Sequence, residues 1–477
     1  MATFLDEKLD ALFPLPSPPP MFAPQRLPGI THENGVTLVR MLKENHTRWH
    51  TFFNDIGFHK YVSTIEAAYQ RGTYPSPCSI TEANFGDHLR KKDYWTAYKD
   101  FFSEALREKG IGPVLEEYLF TLEYNKPPRR MLSRFLMGVV HPIIHAGYGC
   151  EFGLPGMVAE GLAMACVQED DLADMFPQSI FPWNGSGSGI AQSVADVTAK
   201  LRSVALGGSG SGPSPHALEI LAKIANDPAF TPAALGIQDC GLGELRMKQV
   251  LEQIGPKLFQ LVSEWAVNGA DQGEVYRKIE EVIWMNVVIY GVAGWGGRHT
   301  SPSKEFNAEF FLLHLVTSVL FLHSFVPYLS GSSISTLLRA YFSASLLLYV
   351  ARGRPALPIR DFFASTNALP RPPGPTPTPR KDAVTSDPTV NPWFSILQST
   401  LLHSDNHIAK IQRALAHFDC LWGTTPAGRF KDLKGLDGVE ALDGTIFLRV
   451  AGLTQDRLGW MWEGEEKKGW DFQGFFD

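Results

Sequence analysis

The chain has 477 residues, of which 44% are hydrophobic, 12% aromatic and 19% charged, and its formal net charge is −7. Such a composition is typical of a folded soluble protein with a sizeable core. The acidic balance and the lack of a basic stripe argue against nucleic acid as a partner.

The cysteines argue against both a disulfide framework and a zinc ribbon. Their number is odd, and no CxxC motif occurs among Cys78, Cys150, Cys166, Cys240 and Cys420. This pattern fits a reducing compartment, and the N-terminus lacks a basic region followed by an apolar stretch. We therefore expect a cytoplasmic protein.

The N-terminal part predicts an arm followed by one large domain. Residues 1–30 contain a short amphipathic piece and a proline-rich stretch, which we treat as an arm outside the domain at 31–477. From Gly35 onward, apolar residues recur at steps of three and four, which predicts an amphipathic helix. This helix breaks near Asn54–Gly57, directly before His59.

Helical patterns separated by loops follow, and one of them carries a histidine pair. His141 and His145 stand four residues apart in an apolar run, and Tyr148 lies on the same helical stripe. Two glycines, Gly147 and Gly149, predict a bend after the pair. Two imidazoles on one helix face are a candidate metal clamp.

The C-terminal half is predicted to be helical, with one long excursion. Residues 291–297 predict a tight turn that ends at Arg298. A core helix is predicted at 305–326, because its apolar run is short for a membrane span. A second apolar helix is predicted at 332–351. The proline-rich segment 353–392 is predicted to be a lid over a site or a surface excursion.

The last part of the chain completes the predicted fold. One helix is expected over Trp393–Cys420, and the following GTIFLRVAGL predicts one short strand. No run of alternating strands and no repeat at a fixed period occurs. The predicted fold class is therefore mainly α: a large single helical domain with long irregular loops and little or no sheet.

Candidate ligands recur on the predicted C-terminal helices. On a helical wheel, His403, His407 and Lys410 lie together beside the buried stripe of the last helix. His314 sits inside the apolar core run, where an imidazole needs a hydrogen-bond partner or a metal. For each residue alone, a hydrogen-bonded core histidine or a solvated lysine remains the alternative. Helical bundles build metal sites from such residues on facing helices.

The sequence lacks the motifs of several common enzyme classes, which makes those classes unlikely. No Glu stands three residues before any histidine, which disfavours the di-iron carboxylate bundles. HExxH, GxSxG and a Rossmann fingerprint are missing, which argues against zinc peptidases, α/β-hydrolases and conventionally bound flavin or nicotinamide. His403 and Asp405 spell HxD, but residues two apart on a helix do not face the same way.

A site dominated by histidine remains, and neutral imidazoles suit iron, zinc, copper or nickel. Such a site leaves the metal charge uncompensated unless Lys410 supplies an anion. A buried lysine beside a cation is driven to the neutral amine, which reacts with CO2 to give a carboxylate-like carbamate. An exposed or ion-paired lysine is the open alternative.

Several segments together give the chain a resemblance to the questin oxidase-like family. They are ENHTRWHTFFNDIGFH, HPIIHAGYGCEFGLPGMVAEGLA, EFFLLHLVTS, DNHIAKIQRAL and the terminal GWDFQGFFD. Members of this family serve fungal aromatic polyketide pathways, in which they open an anthraquinone-type ring oxidatively. The resemblance implies a helical fold, an oxidoreductase activity, and a mononuclear non-haem Fe(II) site built from histidines and a modified lysine.

Matching positions for the implied site are His59, His141, His145, His314, His407 and Lys410. They are one more than four histidines and a lysine require, so we expect only one of His141 and His145 to bind the metal, and we favour His145. The expected catalytic residues are His145, His407 and Lys410. After His59 the chain lacks the further histidines that many relatives carry.

The leading hypothesis from sequence is an O2-dependent oxygenase acting on a small aromatic polyketide. Its flat substrate is expected to lie against Tyr148 and Trp295, with Arg298 pairing a phenolate, although each of the three has a plain core or turn role as the alternative. Two other hypotheses stay open. One is an NADPH-dependent Baeyer–Villiger-type oxidase without bound metal, and the other is a non-catalytic helical ligand-binding protein.

Overall fold

The computed structural model describes most of the chain, with several gaps. The described residues are 2–17, 24, 32–50, 71–72, 76–172, 175–176, 180–181, 214–237, 243–301, 303–375, 377–387 and 391–476. These ranges are mainly helical, which confirms the predicted fold class. His59, most of the proline-rich arm and Cys240 lie outside the described residues.

Helices account for most of the described secondary structure. The N-terminal half contains α1 (Ala2–Leu12), α2 (His32–Arg48), α3 (Trp95–Lys109), α4 (Ile111–Phe120), α5 (Leu122–Asn125), α6 (Met131–Phe135), α7 (His141–Phe152) and α8 (Pro155–Cys166). The C-terminal half contains α9 (Ala217–Asn226), α10 (Pro232–Leu235), α11 (Gly243–Ser263), α12 (Gln272–Val287), α13 (Ala293–Gly296), α14 (Phe310–Val319), α15 (Leu322–Phe325), α16 (Gly331–Ala351), α17 (Ile359–Ser365), α18 (Pro392–Leu402), α19 (Asn406–Trp422) and α20 (Ile446–Leu458).

The remaining elements are short. Turns of 3₁₀ helix lie at Phe85–His88, Lys92–Tyr94, Pro228–Phe230, Arg298–Thr300, Val326–Tyr328 and Val439–Ala441, and a π-helical turn lies at Val288–Val292. Within the described ranges, sheet is limited to one antiparallel pair of two-residue strands, β1 (Trp49–His50) and β2 (Arg71–Gly72).

The hairpin of α7 and α8 differs from the bend predicted at Gly147 and Gly149. Both glycines lie inside α7, and the chain turns instead at Gly153, whose φ of 65° ends the helix. The missing side chains serve packing, because a Cβ on Gly149 would lie 2.8 Å from the backbone nitrogen of Val158. Glycine therefore allows α7 and α8 to approach closely.

The apolar centre contains α14 and α16. Two stretches, Phe310–Tyr328 and Gly331–Ala351, are long and apolar enough to span a membrane, but 83% of the most apolar part of each is buried inside the fold. They pack as core helices, as predicted. The helix expected at 305–326 begins only at Phe310, because the Glu309 carboxylate caps it, and it breaks after Val319.

Two predictions in the C-terminal half are wrong, because the segments are helical. GTIFLRVAGL lies in α20, whose buried Ile446 and Val450 are four residues apart. Its β-branched and aromatic residues suggested a strand, but the helical spacing of the buried positions prevails. Residues 291–297, predicted as a turn, continue the helix through α13. Gly291 is needed for packing, since its Cβ would lie 2.2 Å from Val450.

The single helix predicted over Trp393–Cys420 is two helices, α18 and α19. Asp405 separates them as an N-cap, and its Oδ1 accepts a hydrogen bond from the backbone nitrogen of His407 at 2.8 Å. His403 lies in the break and not beside His407. Its Nε2 is 3.3 Å from the carbonyl oxygen of Leu458, so a hydrogen bond accounts for its burial.

The described part of 353–392 is mostly irregular and exposed, and it includes α17. An ion pair of 2.6 Å joins Arg371, in the middle of this segment, to Asp387 near its end. The role of this segment as a lid stays a prediction. The site lies elsewhere, where α14 packs against both α7 and α19.

Candidate metal centre

Three predicted ligands meet where α7, α14 and α19 come together. His141 is the first residue of α7, His314 lies in α14, and His407 is the second residue of α19. All three are buried, and one ring nitrogen from each lies within 4.8 Å of the others. In the described part of the chain, no other group of three histidine, cysteine or carboxylate ligands meets that criterion.

Each of these imidazoles is oriented by a hydrogen bond at Nδ1. His141 Nδ1 donates to the carbonyl oxygen of Gly138 at 2.8 Å, and His314 Nδ1 donates to that of Phe310 at 2.8 Å. His407 Nδ1 donates to Asp405 Oδ1 at 3.1 Å. An acceptor at Nδ1 fixes the tautomer and leaves the lone pair on Nε2, as metal-binding histidines require.

The spacing of the three nitrogens fits one metal ion with little adjustment. Imidazole nitrogens bound at roughly 2.0–2.1 Å stand at most about 4.2 Å apart, so the widest pair would close by no more than about 0.6 Å. His314 Nε2 is buried and has no hydrogen-bond partner among the described residues. A buried imidazole nitrogen without a partner costs about 1–3 kcal/mol, which a metal would offset.

The electrostatics keep His314 neutral. Burial lowers its pKa well below the ordinary value, and the nearby His141, His407 and Lys410 lower it further. Lys410 is itself buried, with 2% of its surface exposed, and it follows His407 by one helical turn. The donor set is therefore three buried imidazoles, of which His314 is held neutral, with the Lys410 amine in the same helix as His407.

Asp405 supplies the negative charge behind His407. Burial tends to raise its pKa, but hydrogen bonds from His407 and from Trp470 outweigh this and hold the pKa well below its ordinary value. Trp470 Nε1 donates to Asp405 Oδ2 at 3.2 Å. An ionised carboxylate hydrogen-bonded to an imidazole strengthens that imidazole as a ligand.

The terminal GWDFQGFFD segment is attached to the start of α14. The backbone nitrogen of Phe310 donates to the carbonyl oxygen of Asp471 at 2.7 Å, and that of Asp471 donates to Ala308 at 3.0 Å. Both Asp471 carboxylate oxygens accept hydrogen bonds from Arg457. The C-terminus thus fixes Trp470 beside Asp405, which explains why a segment distant in sequence belongs to the site.

The backbone before His141 is strained. Gly138, Val139 and Val140 have φ values of 62°, 52° and 56°. Two β-branched residues in the left-handed region are unusual and cost on the order of 1–3 kcal/mol each. This conformation brings the carbonyl oxygen of Gly138 within hydrogen-bond distance of His141 Nδ1. Strain at this point is therefore tied to the orientation of a candidate ligand.

His145, which we favoured as the metal ligand, faces away from the three-histidine cluster. Its Nε2 lies 2.7 Å from Glu160 Oε2, and His46 Nδ1 lies 2.6 Å from the other oxygen of the same carboxylate. Residues four apart on a helix differ by about 40° in direction, and here this sends His145 toward α8. The geometry thus favours His141 over His145 as the ligand from α7.

The carboxylate between the two imidazoles is a buried anion. Burial tends to raise the pKa of Glu160, but hydrogen bonds from His145 and His46 outweigh this and lower it well below the ordinary value. Burial and the nearby Lys99 lower the pKa of His46. Glu160 is therefore ionised and accepts hydrogen bonds from the imidazoles of His46 and His145.

Of the three predicted substrate-binding residues, Trp295 and Arg298 contact each other, and Tyr148 lies apart from them in α7. Tyr148 is buried in α7, with its ring 4.5 Å from that of Phe321. Arg298 is exposed, and its guanidinium lies 4.2 Å from the ring of the half-buried Trp295. Among the described residues, Trp295 makes its ring contact with Phe362 and none with the three histidines.

Sequence reasoning missed another charged pair beside Tyr148. Arg413 of α19 forms an ion pair with the fully buried Glu151 of α7. Arg413 follows Lys410 by three residues, so the helical wheel that selected Lys410 also reaches it. Its partner was not visible, because Glu151 is 262 residues away in the chain.

Comparison with known proteins places these residues in a family. The model of the family described as questin oxidase-like matches residues 59–415, which is most of the chain. That range contains all three clustered histidines and Lys410. The terminal segment that carries Trp470 lies beyond it.

Curated relatives share most of their length with the chain. A Baeyer–Villiger oxidase of Pestalotiopsis fici is 23% identical over 448 residues, covering 87% of this chain and 86% of the relative. A questin oxidase of Aspergillus terreus is 22% identical, covering 87% and 86%. The oxidoreductase AflY of Aspergillus parasiticus is 24% identical, covering 94% and 86%. The names of all three denote oxidative enzymes.

Proposed function

Because the chain is an oxidoreductase that belongs to the questin oxidase-like family, we propose that it opens an anthraquinone-type ring of an aromatic polyketide with O2 at a mononuclear non-haem Fe(II). Both atoms of O2 enter the product as the C–C bond next to a ring carbonyl breaks. One completes a carboxyl group at the former carbonyl carbon and the other becomes a carbonyl on the hydroxylated ring, so no external reductant is consumed. The names of the relatives support the substrate class, since questin oxidases and Baeyer–Villiger oxidases are among them.

The observation that carries the proposal is the convergence of His141, His314 and His407. Three buried imidazoles, each with Nδ1 engaged, are difficult to explain as plain core residues. His314 argues most directly, because its Nε2 is buried without a partner among the described residues. Fe(II) bound there would supply the redox chemistry by which O2 oxidises the ring. The predicted ligand His59 lies outside the described residues and stays a prediction.

Lys410 is proposed to complete the ligand set as a carbamate. It is buried and follows His407 by one helical turn. Beside a bound cation the neutral amine would be favoured, and its reaction with CO2 would give an anion that offsets the charge of the metal. The protein's own contribution is to hold the ligands, keep Asp405 ionised behind His407 and exclude bulk water.

A second candidate is an NADPH-dependent Baeyer–Villiger-type oxidation without bound metal. The observation in its favour is the name of the Pestalotiopsis fici relative and of several others. The non-catalytic hypothesis is set aside, because the chain belongs to a family of oxidoreductases. A cytoplasmic location is proposed as well, and the free thiols of Cys78, Cys150, Cys166 and Cys420 are consistent with it.

An oxygen electrode separates the two reactions. Purified protein is mixed with a polyhydroxyanthraquinone, with and without NADPH and with and without a strong Fe(II) chelator. The proposal predicts O2 uptake that needs no NADPH and stops with the chelator, together with a ring-opened product by mass spectrometry. Uptake that requires NADPH and survives chelation would support the Baeyer–Villiger alternative and exclude the iron site.

A further inference from the structure

Arg413 and Glu151 form a polar group between α19 and α7, next to two aromatic rings. Arg413 Nη2 donates to Glu151 Oε1, and Glu151 is fully buried. The guanidinium carbon lies 5.5 Å from the ring of Tyr148 and 5.7 Å from that of Phe152. The two rings are 13° from parallel. A cation over aromatic faces is itself favourable.

The ion pair leaves one polar atom of each partner unused. Arg413 also hydrogen-bonds to the side chain of Tyr148, but its Nη1 and Glu151 Oε2 are buried atoms that have no hydrogen-bond partner in the described part of the chain. An arginine and a carboxylate commonly pair through two parallel hydrogen bonds, and this pair uses one. Buried polar atoms without partners cost about 1–3 kcal/mol each, so a further group is expected to bind them.

The pair lies along the helices that carry the metal ligands. Tyr148 follows His141 by seven residues, so it lies on the same side of α7, about 10 Å further along. Arg413 follows Lys410 by three residues in α19. This separation is comparable with the length of a fused three-ring aromatic and its ring oxygens. The side chain of Arg413 keeps 20% of its surface exposed, so the pair lies close to the protein surface although its two unused atoms are buried.

Arg413 Nη1 and Glu151 Oε2 indicate which chemical group of a ligand would bind here. Glu151 offsets the charge of Arg413, so the pair attracts no net charge, and it offers one N–H donor and one carboxylate acceptor. A phenol hydroxyl matches both, because its oxygen accepts and its O–H donates. A methyl ether accepts only and would leave Glu151 Oε2 without a partner.

We propose that Arg413 and Glu151 are a subsite that binds a free phenol hydroxyl of the aromatic substrate and discriminates against its methyl ether. This inference rests on the proposed function. Arg413 Nη1 donates to the phenol oxygen, the phenol O–H donates to Glu151 Oε2, and the rings of Tyr148 and Phe152 contact the aromatic body. The subsite takes over the role that sequence reasoning gave to Arg298.

Anaerobic binding titrations test the subsite without requiring turnover. The ligands are a monohydroxyanthraquinone, with its hydroxyl remote from the ring carbonyls, and the corresponding methyl ether, followed by visible absorption. The wild-type protein is expected to prefer the phenol by about tenfold or more, as one unsatisfied buried acceptor implies. Glu151→Gln keeps the shape but also presents N–H donors, so it is expected to reduce this ratio to near one. Arg413→Gln is expected to weaken binding of both ligands.

The control is Arg354→Gln, which removes another partly buried arginine, one that binds the carbonyl oxygens of Ile224, Ala225 and Asp227. It is expected to lower stability and leave the binding ratio unchanged. An unchanged ratio in Glu151→Gln, with only a lower melting temperature, would mean that the pair joins two helices and overturn the inference. Metal content is measured on the same samples, so a failure of the iron proposal is seen separately.

Discussion

Asp405 accepts two hydrogen bonds from His407, one from the backbone nitrogen at 2.8 Å and one from ring Nδ1 at 3.1 Å. One side chain therefore begins α19 and orients a candidate metal ligand. Trp470 donates to its second oxygen, so the C-terminal segment stabilises the same arrangement. Helix geometry and ligand geometry are coupled at this residue.

Asp405→Asn separates these two roles. Asparagine is about as good an N-cap as aspartate, so the melting temperature is expected to change little. The charge behind His407 is lost, and metal affinity is expected to fall by about 10–100-fold. Metal titration and thermal unfolding of the same samples measure both effects. A large loss of stability at unchanged metal affinity would contradict the proposed role.

The proposed carbamate on Lys410 predicts chemical rescue. Lys410→Ala is expected to lose most metal and activity, and a short carboxylate such as propionate is expected to restore part of both by entering the vacated space. In the wild type, ¹³C-labelled bicarbonate is expected to give a carbamate signal that Lys410→Ala lacks. Absence of the signal in active, metal-loaded protein would exclude the modification.

The hydrogen-bonded group of His46, Glu160 and His145 predicts that the free energy of unfolding decreases in two steps as the pH falls. His46 has a lowered pKa in the folded state, so the unfolded chain binds more protons below about 6.5, and stability falls as pH decreases through that value. Glu160 also has a lowered pKa, so its stabilisation is present above its ordinary value of 4.5 and is lost further below it.

Urea unfolding of wild type and Glu160→Gln between about pH 8 and about pH 2.5 tests this. The variant is expected to be less stable at neutral pH, and the gap is expected to narrow below about pH 4.5 because the lost carboxylate no longer contributes. A gap that stays constant across this range would show that Glu160 is not ionised in the folded protein.

Gly161 tests the close packing of α7 on α8. A Cβ at this position would lie 2.7 Å from the backbone nitrogen of Ala146, so Gly161→Ala is expected to destabilise by about 1–3 kcal/mol. Gly35→Ala is the control, since its Cβ meets only Pro16 at 3.8 Å, and it is expected to stabilise α2 by roughly 0.5–1 kcal/mol. Equal effects in denaturant unfolding would refute the packing account.

Sequence periodicity predicted the helical class because most helices have a clear apolar stripe. It failed where local and tertiary preferences disagree. The β-branched residues of α20 suggested a strand, although burial of Ile446 and Val450 requires a helix. The break before α19 depends on Asp405 acting as an N-cap, and a helical wheel drawn through it placed His403 incorrectly.

The residues of the site were only partly predictable, because their convergence depends on tertiary packing. Buried histidines can be recognised in sequence, but their convergence depends on how α14 packs against α7 and α19. The choice between His141 and His145 turns on a rotation of about 40° around one helix, which sequence does not resolve. Arg413 was missed because its partner, Glu151, lies in a distant part of the chain.

Metal content determined by mass spectrometry decides whether His141, His314 and His407 bind iron. It is measured on untagged wild type and on His141→Ala, His145→Ala and His314→Ala. The account predicts about one iron per wild-type chain, loss of the metal in His141→Ala and His314→Ala, and its retention in His145→Ala. A wild-type protein that is active without bound metal would contradict the account, as would a His145→Ala variant that alone loses iron.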